Sequence, residues 1–96
     1  MSSHEGLRAT VVPLGRLLIA REALAVLSHD DVLVALGRHV RRDWGELDCE
    51  DKAANDRALV DHSRLLSSYR AKEGRKFWII TEADRSATTV LLPEEY

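Results

Sequence analysis

The sequence predicts an α+β domain: a three- to four-stranded antiparallel sheet with two to three helices packed on one face. Apolar residues recur at helical spacing between Glu22 and His62, β-branched and aromatic runs follow Arg64, and turn-forming residues separate those runs. With 96 residues the chain has room for one hydrophobic core. We therefore expect a single domain over residues 1–96, with residues 1–12 as a loose N-terminal tail.

The first half of the chain is expected to be mostly helical. Gly15–Ala20 is a short apolar run. It is predicted to be a strand because Pro13 and Gly15, which commonly mark element boundaries, stand at its start. Three helices are predicted after it, over Glu22–Leu27, Val32–Arg42 and Glu50–His62. Asp30 or Asp31 is expected to cap the second helix, and Asp48 the third, whose apolar face is thin. The apolar stripe of the second helix would contain Leu33, Leu36 and Val40, flanked by Val32 and Ala35.

The last third has the composition of a β-meander. Predicted strands cover Arg64–Arg70, Lys76–Glu82 and Thr88–Leu92. Gly74 stands where a short hairpin loop needs a positive φ, and residues 83–86 supply the second turn.

Composition excludes several classes of protein. The net charge of −2 is unlike the strong basic excess of a dedicated nucleic-acid binder. One cysteine, Cys49, gives no disulfide framework, and the N-terminal residues lack the layout of a secretory signal. No apolar run is long enough to cross a bilayer. We expect a cytoplasmic protein that does not bind membranes and needs no cofactor.

An acidic stretch is the first candidate site. Five carboxylates lie within residues 43–51, next to an aromatic side chain. Asp43, Glu46 and Asp48 would bind a basic partner protein, with Trp44 as the anchor. The alternative is a capped helix start and a solvated loop, with Trp44 in the core.

Basic residues form the second candidate site. Arg41 and Arg42 end the second helix, and Arg70, Arg75 and Lys76 surround the predicted hairpin. If the two groups converge, they would contact nucleic-acid phosphates. The alternative is a set of separate helix-end and strand-edge charges.

A third candidate is the turn that holds Glu82, Asp84 and Arg85, where two carboxylates and an arginine would allow acid–base chemistry. Ordinary turn chemistry, with Arg85 paired to Asp84 or Glu82, is the alternative. No metal site is predicted, because the histidines and Cys49 match no ligand spacing, although His39 and His62 could approach each other or Cys49.

Several segments are similar to known proteins: GRHVRRDWGELD, EDKAANDRAL, RLLSSY and FWIITEADRSATTVLLPEEY. They resemble a set of short bacterial proteins carried on plasmids, prophages and other mobile elements, some labelled plasmid-related or type I restriction subunit M. The likeness covers about the last two-thirds of the chain and implies a mobile-element context without assigning catalytic residues. A modification subunit needs a methyltransferase fold with a glycine motif, which this chain lacks.

We therefore expect a non-enzymatic mobile-element accessory protein that binds another protein, encoded by the host or the element. Inhibition of a defence system, of the anti-CRISPR or antirestriction type, is the expected purpose. The alternatives are a nucleic-acid-associated regulator that uses the basic residues and a small enzyme built on Glu82, Asp84 and Arg85. A homodimer is also open.

Overall fold

A computed structural model describes residues 11–96. Within these residues, four strands, three helices and a final 3₁₀ turn follow one another, in agreement with the predicted α+β class. The elements are β1 (Arg16–Ile19), α1 (Arg21–Val26), α2 (His29–Val40), α3 (Cys49–Asp61), β2 (Leu65–Arg70), β3 (Lys76–Thr81), β4 (Ala87–Leu91) and the 3₁₀ turn (Pro93–Glu95).

The sheet has the strand order β1-β4-β3-β2 and is mixed. β2, β3 and β4 form the predicted antiparallel meander, and Gly74 in its first turn has the expected positive φ of 102°. β1, however, pairs with β4 in parallel, which corrects the prediction of a fully antiparallel sheet. β1 and β4 are far apart in the sequence and no short hairpin loop joins them. Their pairing is therefore not restricted to the antiparallel arrangement that a hairpin imposes.

One face of the sheet meets the helices. Ser67, Ile79 and Thr81 point to that face, as the pairing of Ser67 with Ile79 shows. The larger core cluster joins this face to the inner sides of α1 and α2, and a smaller one surrounds Trp44. On the opposite face Tyr96 packs edge-on against Trp78, with ring centroids 5.7 Å apart.

The second helix is rotated and starts earlier than predicted. Ser28 Oγ accepts a hydrogen bond from the N–H of Asp31, so Ser28, and neither aspartate, is the N-cap. The inner side of α2 is formed by Val32, Ala35, Leu36 and His39. Leu33, predicted to lie on the apolar stripe, points to solvent instead. The third helix begins as predicted, since Asp48 accepts from the N–H of Asp51.

The outer edge of β2 is covered by irregular chain and by one side chain. Ser68 exchanges backbone hydrogen bonds with Trp44 and Glu46, and Gly45 bridges to it with a φ of 75°. The Asn55 amide on α3 then donates to the carbonyl of Leu66 (2.6 Å) and accepts from its N–H (3.1 Å). This edge of the sheet is therefore closed to another strand.

A residue from the C-terminal turn caps α1. The Glu95 carboxylate accepts hydrogen bonds from the N–H groups of Glu22 (2.7 Å), Ala23 (3.1 Å) and Leu92 (2.9 Å). Because α1 has no side-chain cap of its own, this long-range contact satisfies its free N–H groups.

The predicted tail ends earlier than residue 12. Val12 is buried against Trp44, Ala58 and Leu65, and its N–H donates to the carbonyl of Val40. The rest of that predicted tail, residues 1–10, lies outside the described residues. Within residues 11–96, none of the helices combines the length and apolar character that spanning a membrane requires.

Candidate protein-binding surface

The predicted acidic site is largely engaged within the domain. Asp43 accepts two hydrogen bonds from the Arg38 guanidinium (2.7 and 3.2 Å), and Glu46 accepts one from Arg70 (2.9 Å). The bond from Arg38 holds the pKa of Asp43 below its usual value. Asp48 caps α3. The charges of Asp43 and Glu46 are therefore compensated by arginines of the same chain.

Trp44 is part of the core, which corrects its prediction as a partner anchor. Its side chain is 4% exposed, packs edge-on against His39 at 5.6 Å, and donates from Nε1 to Asp56. The neighbouring carboxylates suggested a surface position, but the indole fills the space between α2 and α3.

The two basic groups have different neighbours in the structure. Arg41 and Arg42 line an open groove of about 500 Å³ together with Asp56, Leu59 and Val60 of α3. Arg75 pairs with Glu73, and Arg70 lies opposite Lys76 in the hairpin.

Arg85 ties the β3–β4 turn to the end of α3. Its guanidinium donates to four carbonyl oxygens, those of Ala58, Ser63, Glu82 and Ala83, at 2.7–3.2 Å. These contacts replace the predicted pairing with the Asp84 or Glu82 carboxylate. Asp84 instead accepts from the N–H of Ser86, and hydrogen bonds from Ser86 lower its pKa. The three side chains therefore form no acid–base cluster.

A chain of buried hydroxyl groups runs from α2 through the sheet. His39 lies between Ser67 Oγ (2.6 Å from Nδ1) and Thr81 Oγ1 (2.8 Å from Nε2), and Thr81 contacts Thr88 Oγ1 at 2.8 Å. Thr88 donates in turn to the carbonyl of Leu14 at 2.7 Å. The chain links α2, β2, β3, β4 and the segment before β1.

The Leu14 carbonyl, which ends this series of hydrogen bonds, determines the direction of each of them. A carbonyl only accepts, so the one hydroxyl proton of Thr88 is committed to Leu14 and Thr81 must donate to Thr88. Thr81 then accepts from His39, which is the Nε2–H tautomer, and Nδ1 accepts from Ser67. Burial, with a smaller contribution from the charge of Arg85, lowers the pKa of His39 to about 4 and keeps the ring neutral.

Ser67 and His39 have the spacing of a nucleophile and its base, but both are fully buried. A substrate has no access to Ser67 Oγ, and the imidazole is fixed by partners on both sides. We assign a structural role to this series of hydrogen bonds. His62 and Cys49 are exposed at opposite ends of α3, and residues 11–96 contain no cluster of three potential metal ligands.

Apolar side chains are exposed mainly in the segment before residue 35. Leu17 and Leu18 in β1 are 47% and 41% exposed, and Leu24 and Val26 of α1 are also exposed. Further along the chain, Leu33 and Val34 extend from the outer side of α2. Exposed apolar patches commonly mark binding surfaces.

β1 also directs backbone groups outward that make no backbone hydrogen bond within residues 11–96. It is the terminal strand of the sheet, and the N–H groups of Arg16 and Ala20 donate inward to the carbonyls of Ser86 and Val90 (2.9 and 2.8 Å). Since alternate residues direct their backbone groups to opposite edges, those of Leu17 and Ile19 face outward. The sequence identified this strand but gave no signal that it would lie at an edge, because edge position depends on pairing with the distant β4.

Comparison of the chain with protein-family models, curated proteins and solved structures gives no match.

Proposed function

We propose that this chain is a non-enzymatic binding protein that captures an extended segment of another protein along β1. The observation that carries the proposal is the terminal strand Arg16–Ile19, which combines outward backbone groups with two exposed leucines. Addition of a strand at such an edge provides main-chain hydrogen bonds, and the side chains on either face provide selectivity.

The surroundings of β1 define the chemistry of the partner. Leu17 and Leu18 lie on opposite faces of the sheet and favour apolar side chains in the added segment. Arg16 and Arg21 are exposed at the two ends of the strand. We therefore infer an apolar segment flanked by carboxylates, since opposite charges at the rim guide the orientation of binding.

In the described part of the chain, residues 11–96, no backbone hydrogen bond covers the outer edge of β1, which supports the same proposal. Sheets commonly guard an exposed edge with proline, inward-pointing charges or a covering element. The β2 edge is covered by Asn55 and the segment around Gly45. On β1, by contrast, the side chains of Leu17 and Leu18 are exposed. This is expected of an edge that is covered only in a complex.

We also propose a biological role, which rests on the resemblance of the C-terminal segments to mobile-element proteins. In that setting the captured protein is encoded by the host or the element, and inhibition of restriction or CRISPR interference is the proposed outcome. Transfer efficiency of a plasmid into a host with an active defence system measures this effect. Wild-type chain should raise it, and a chain impaired at β1 should not.

Binding is tested with two β1 variants and a matched control. A partner is first identified by capture from the host and then purified, and its affinity is measured directly. Leu17→Pro removes an N–H that β4 does not use, and Leu17→Lys places a charge on the edge. Val60→Lys makes the same apolar-to-lysine change on α3, where Val60 is exposed.

Both β1 variants should weaken binding at least about tenfold, which corresponds to losing about 1.4 kcal/mol of binding free energy, while Val60→Lys binds normally. A partner that binds Leu17→Pro as tightly as wild type would refute capture along β1. Circular dichroism confirms that each variant is folded.

A further inference from the structure

The outer side of α2 carries a self-complementary pattern. Asp30, Leu33, Val34, Gly37 and Arg41 recur at helical spacing, on the side opposite the buried residues. Leu33 and Val34 are 66% and 65% exposed. A helix that buries one side and still exposes two large apolar side chains on the other has a second surface to cover.

Gly37 leaves a gap on this side of the helix, and in the free chain the Arg41 guanidinium lies beside that gap. A Cβ added at Gly37 would lie 3.5 and 3.9 Å from the guanidinium nitrogens of Arg41. Within residues 11–96, and apart from the backbone of the helix itself, it would touch no other atom. Glycine weakens a helix interior by about 1 kcal/mol relative to alanine. No contact within the described part of the domain requires a glycine here, but a second helix packed against this side would benefit from the missing side chain.

The charges select the orientation of that second helix. Asp30 precedes the apolar pair and Arg41 follows the helix end, so both lie about 8 Å along the helix axis from the point between Ala35 and Leu36. A two-fold axis at that point turns one copy of α2 antiparallel to another. It places each Asp30 beside Arg41 of the other copy, and Leu33 and Val34 over Gly37 of the other copy.

We propose that the chain forms a two-fold symmetric dimer through the outer side of α2, with a second copy of itself as the occupant. The same patch then meets itself, as an isologous interface requires. Two ion pairs flank an apolar centre in which Gly37 lets the helices approach closely. This surface is separate from the β1 edge, so the dimer does not depend on the proposed function.

A charge-swap mixture tests the dimer. Asp30→Arg alone sets two arginines against each other at both ends of the interface, and Arg41→Asp alone sets two aspartates against each other there. In a mixed dimer, which contains one copy of each variant, both ends pair opposite charges. At one end the two substituted side chains meet, and at the other end the unchanged Asp30 and Arg41 meet. Sedimentation equilibrium on the full chain should show a concentration-dependent wild-type dimer, about tenfold weaker association of each variant alone, and recovery in the mixture.

Recovery on mixing cannot come from a change in folding stability. A neutral pair of variants extends the test: Leu33→Gln should weaken the dimer, and Leu18→Gln, the same change at an exposed position of β1, should not. A wild-type chain that stays monomeric would overturn the proposal. So would single variants that dimerise as wild type does, or a mixture that associates no better than its components.

Discussion

His39 and Ser67, 28 positions apart in the chain, are joined by a 2.6 Å hydrogen bond in the interior of the domain. The neutral imidazole accepts at Nδ1 and donates at Nε2, so its charge state is coupled to the position of α2 on the sheet. Protonation at Nδ1 would place two donors against each other until the Ser67 hydroxyl turned away.

Stability should therefore fall in mild acid. The pKa of His39 is lowered from 6.5 to about 4 by burial and by Arg85. Above pH 6.5 both the folded and the unfolded state are neutral at this residue, and between pH 6.5 and 4 only the unfolded state gains the proton. The free energy of unfolding should fall by about 3 kcal/mol over this window, as measured by urea denaturation.

A histidine substitution identifies the source of that slope. His39→Gln removes the titrating group and should flatten the dependence between pH 6.5 and 4.5. His62→Gln, at the exposed end of α3, is the matched histidine-to-glutamine control. An unchanged slope in His39→Gln would show that other groups cause the acid sensitivity.

Adjacent serines should respond in opposite ways to the same substitution. Ser67→Ala leaves His39 Nδ1 buried without a donor and should cost about 1–3 kcal/mol. Ser68 Oγ is buried and has no hydrogen-bond partner in the described part of the chain. Ser68→Ala should therefore be neutral or stabilising. Urea unfolding midpoints compare the two, and equal losses would contradict the assigned hydrogen-bond chain.

Asn55 should be important for the closed edge of β2. Asn55→Ala removes both hydrogen bonds to the Leu66 backbone and should lower stability by about 1–3 kcal/mol. The Leu66 amide should also exchange faster with solvent, as measured by NMR. Arg57→Ala, a truncation to alanine at an exposed position of the same helix, is the control and should change stability by no more than about 0.5 kcal/mol.

Glu95 should stabilise α1 in a pH-dependent way. Desolvation raises its pKa, but hydrogen bonds from Leu92, Glu22 and Ala23 outweigh it, and the folded-state pKa lies below 4.5. The stabilisation is therefore complete above pH 4.5 and is lost as the pH falls through the lower folded value. Glu95→Gln should lower Tm at pH 7, with the difference from wild type closing in acid. Glu94→Gln, at the exposed neighbouring position, is the matched control.

Local patterns predicted most of the fold. The strands rich in aromatic and β-branched residues, the turn at Gly74 and the Asp48 cap all depend on neighbouring residues. The parallel pairing of β1 and the rotation of α2 were mispredicted because both depend on contacts distant in sequence. Leu33 and Leu36 have equivalent apolar character, and only packing against the sheet decides which of them is buried.

The candidate site was harder to predict for the same reason. Charged residues attract attention in a sequence, yet Asp43, Glu46 and Arg70 are paired within the domain, and Arg85 holds carbonyl oxygens. The β1 edge has an ordinary sequence. Its exposure follows from the position of β1 at the end of the sheet, which no local pattern encodes.

Backbone amide exchange at β1, measured by NMR in the free protein and in the complex with its purified partner, tests the central claim most directly. In the free protein Leu18 and Ala20, which face β4, should exchange slowly, and Leu17 and Ile19 should exchange quickly. Binding should slow Leu17 and Ile19 at least about tenfold through new strand hydrogen bonds. Unchanged exchange at these two amides in a saturated complex would contradict capture along β1.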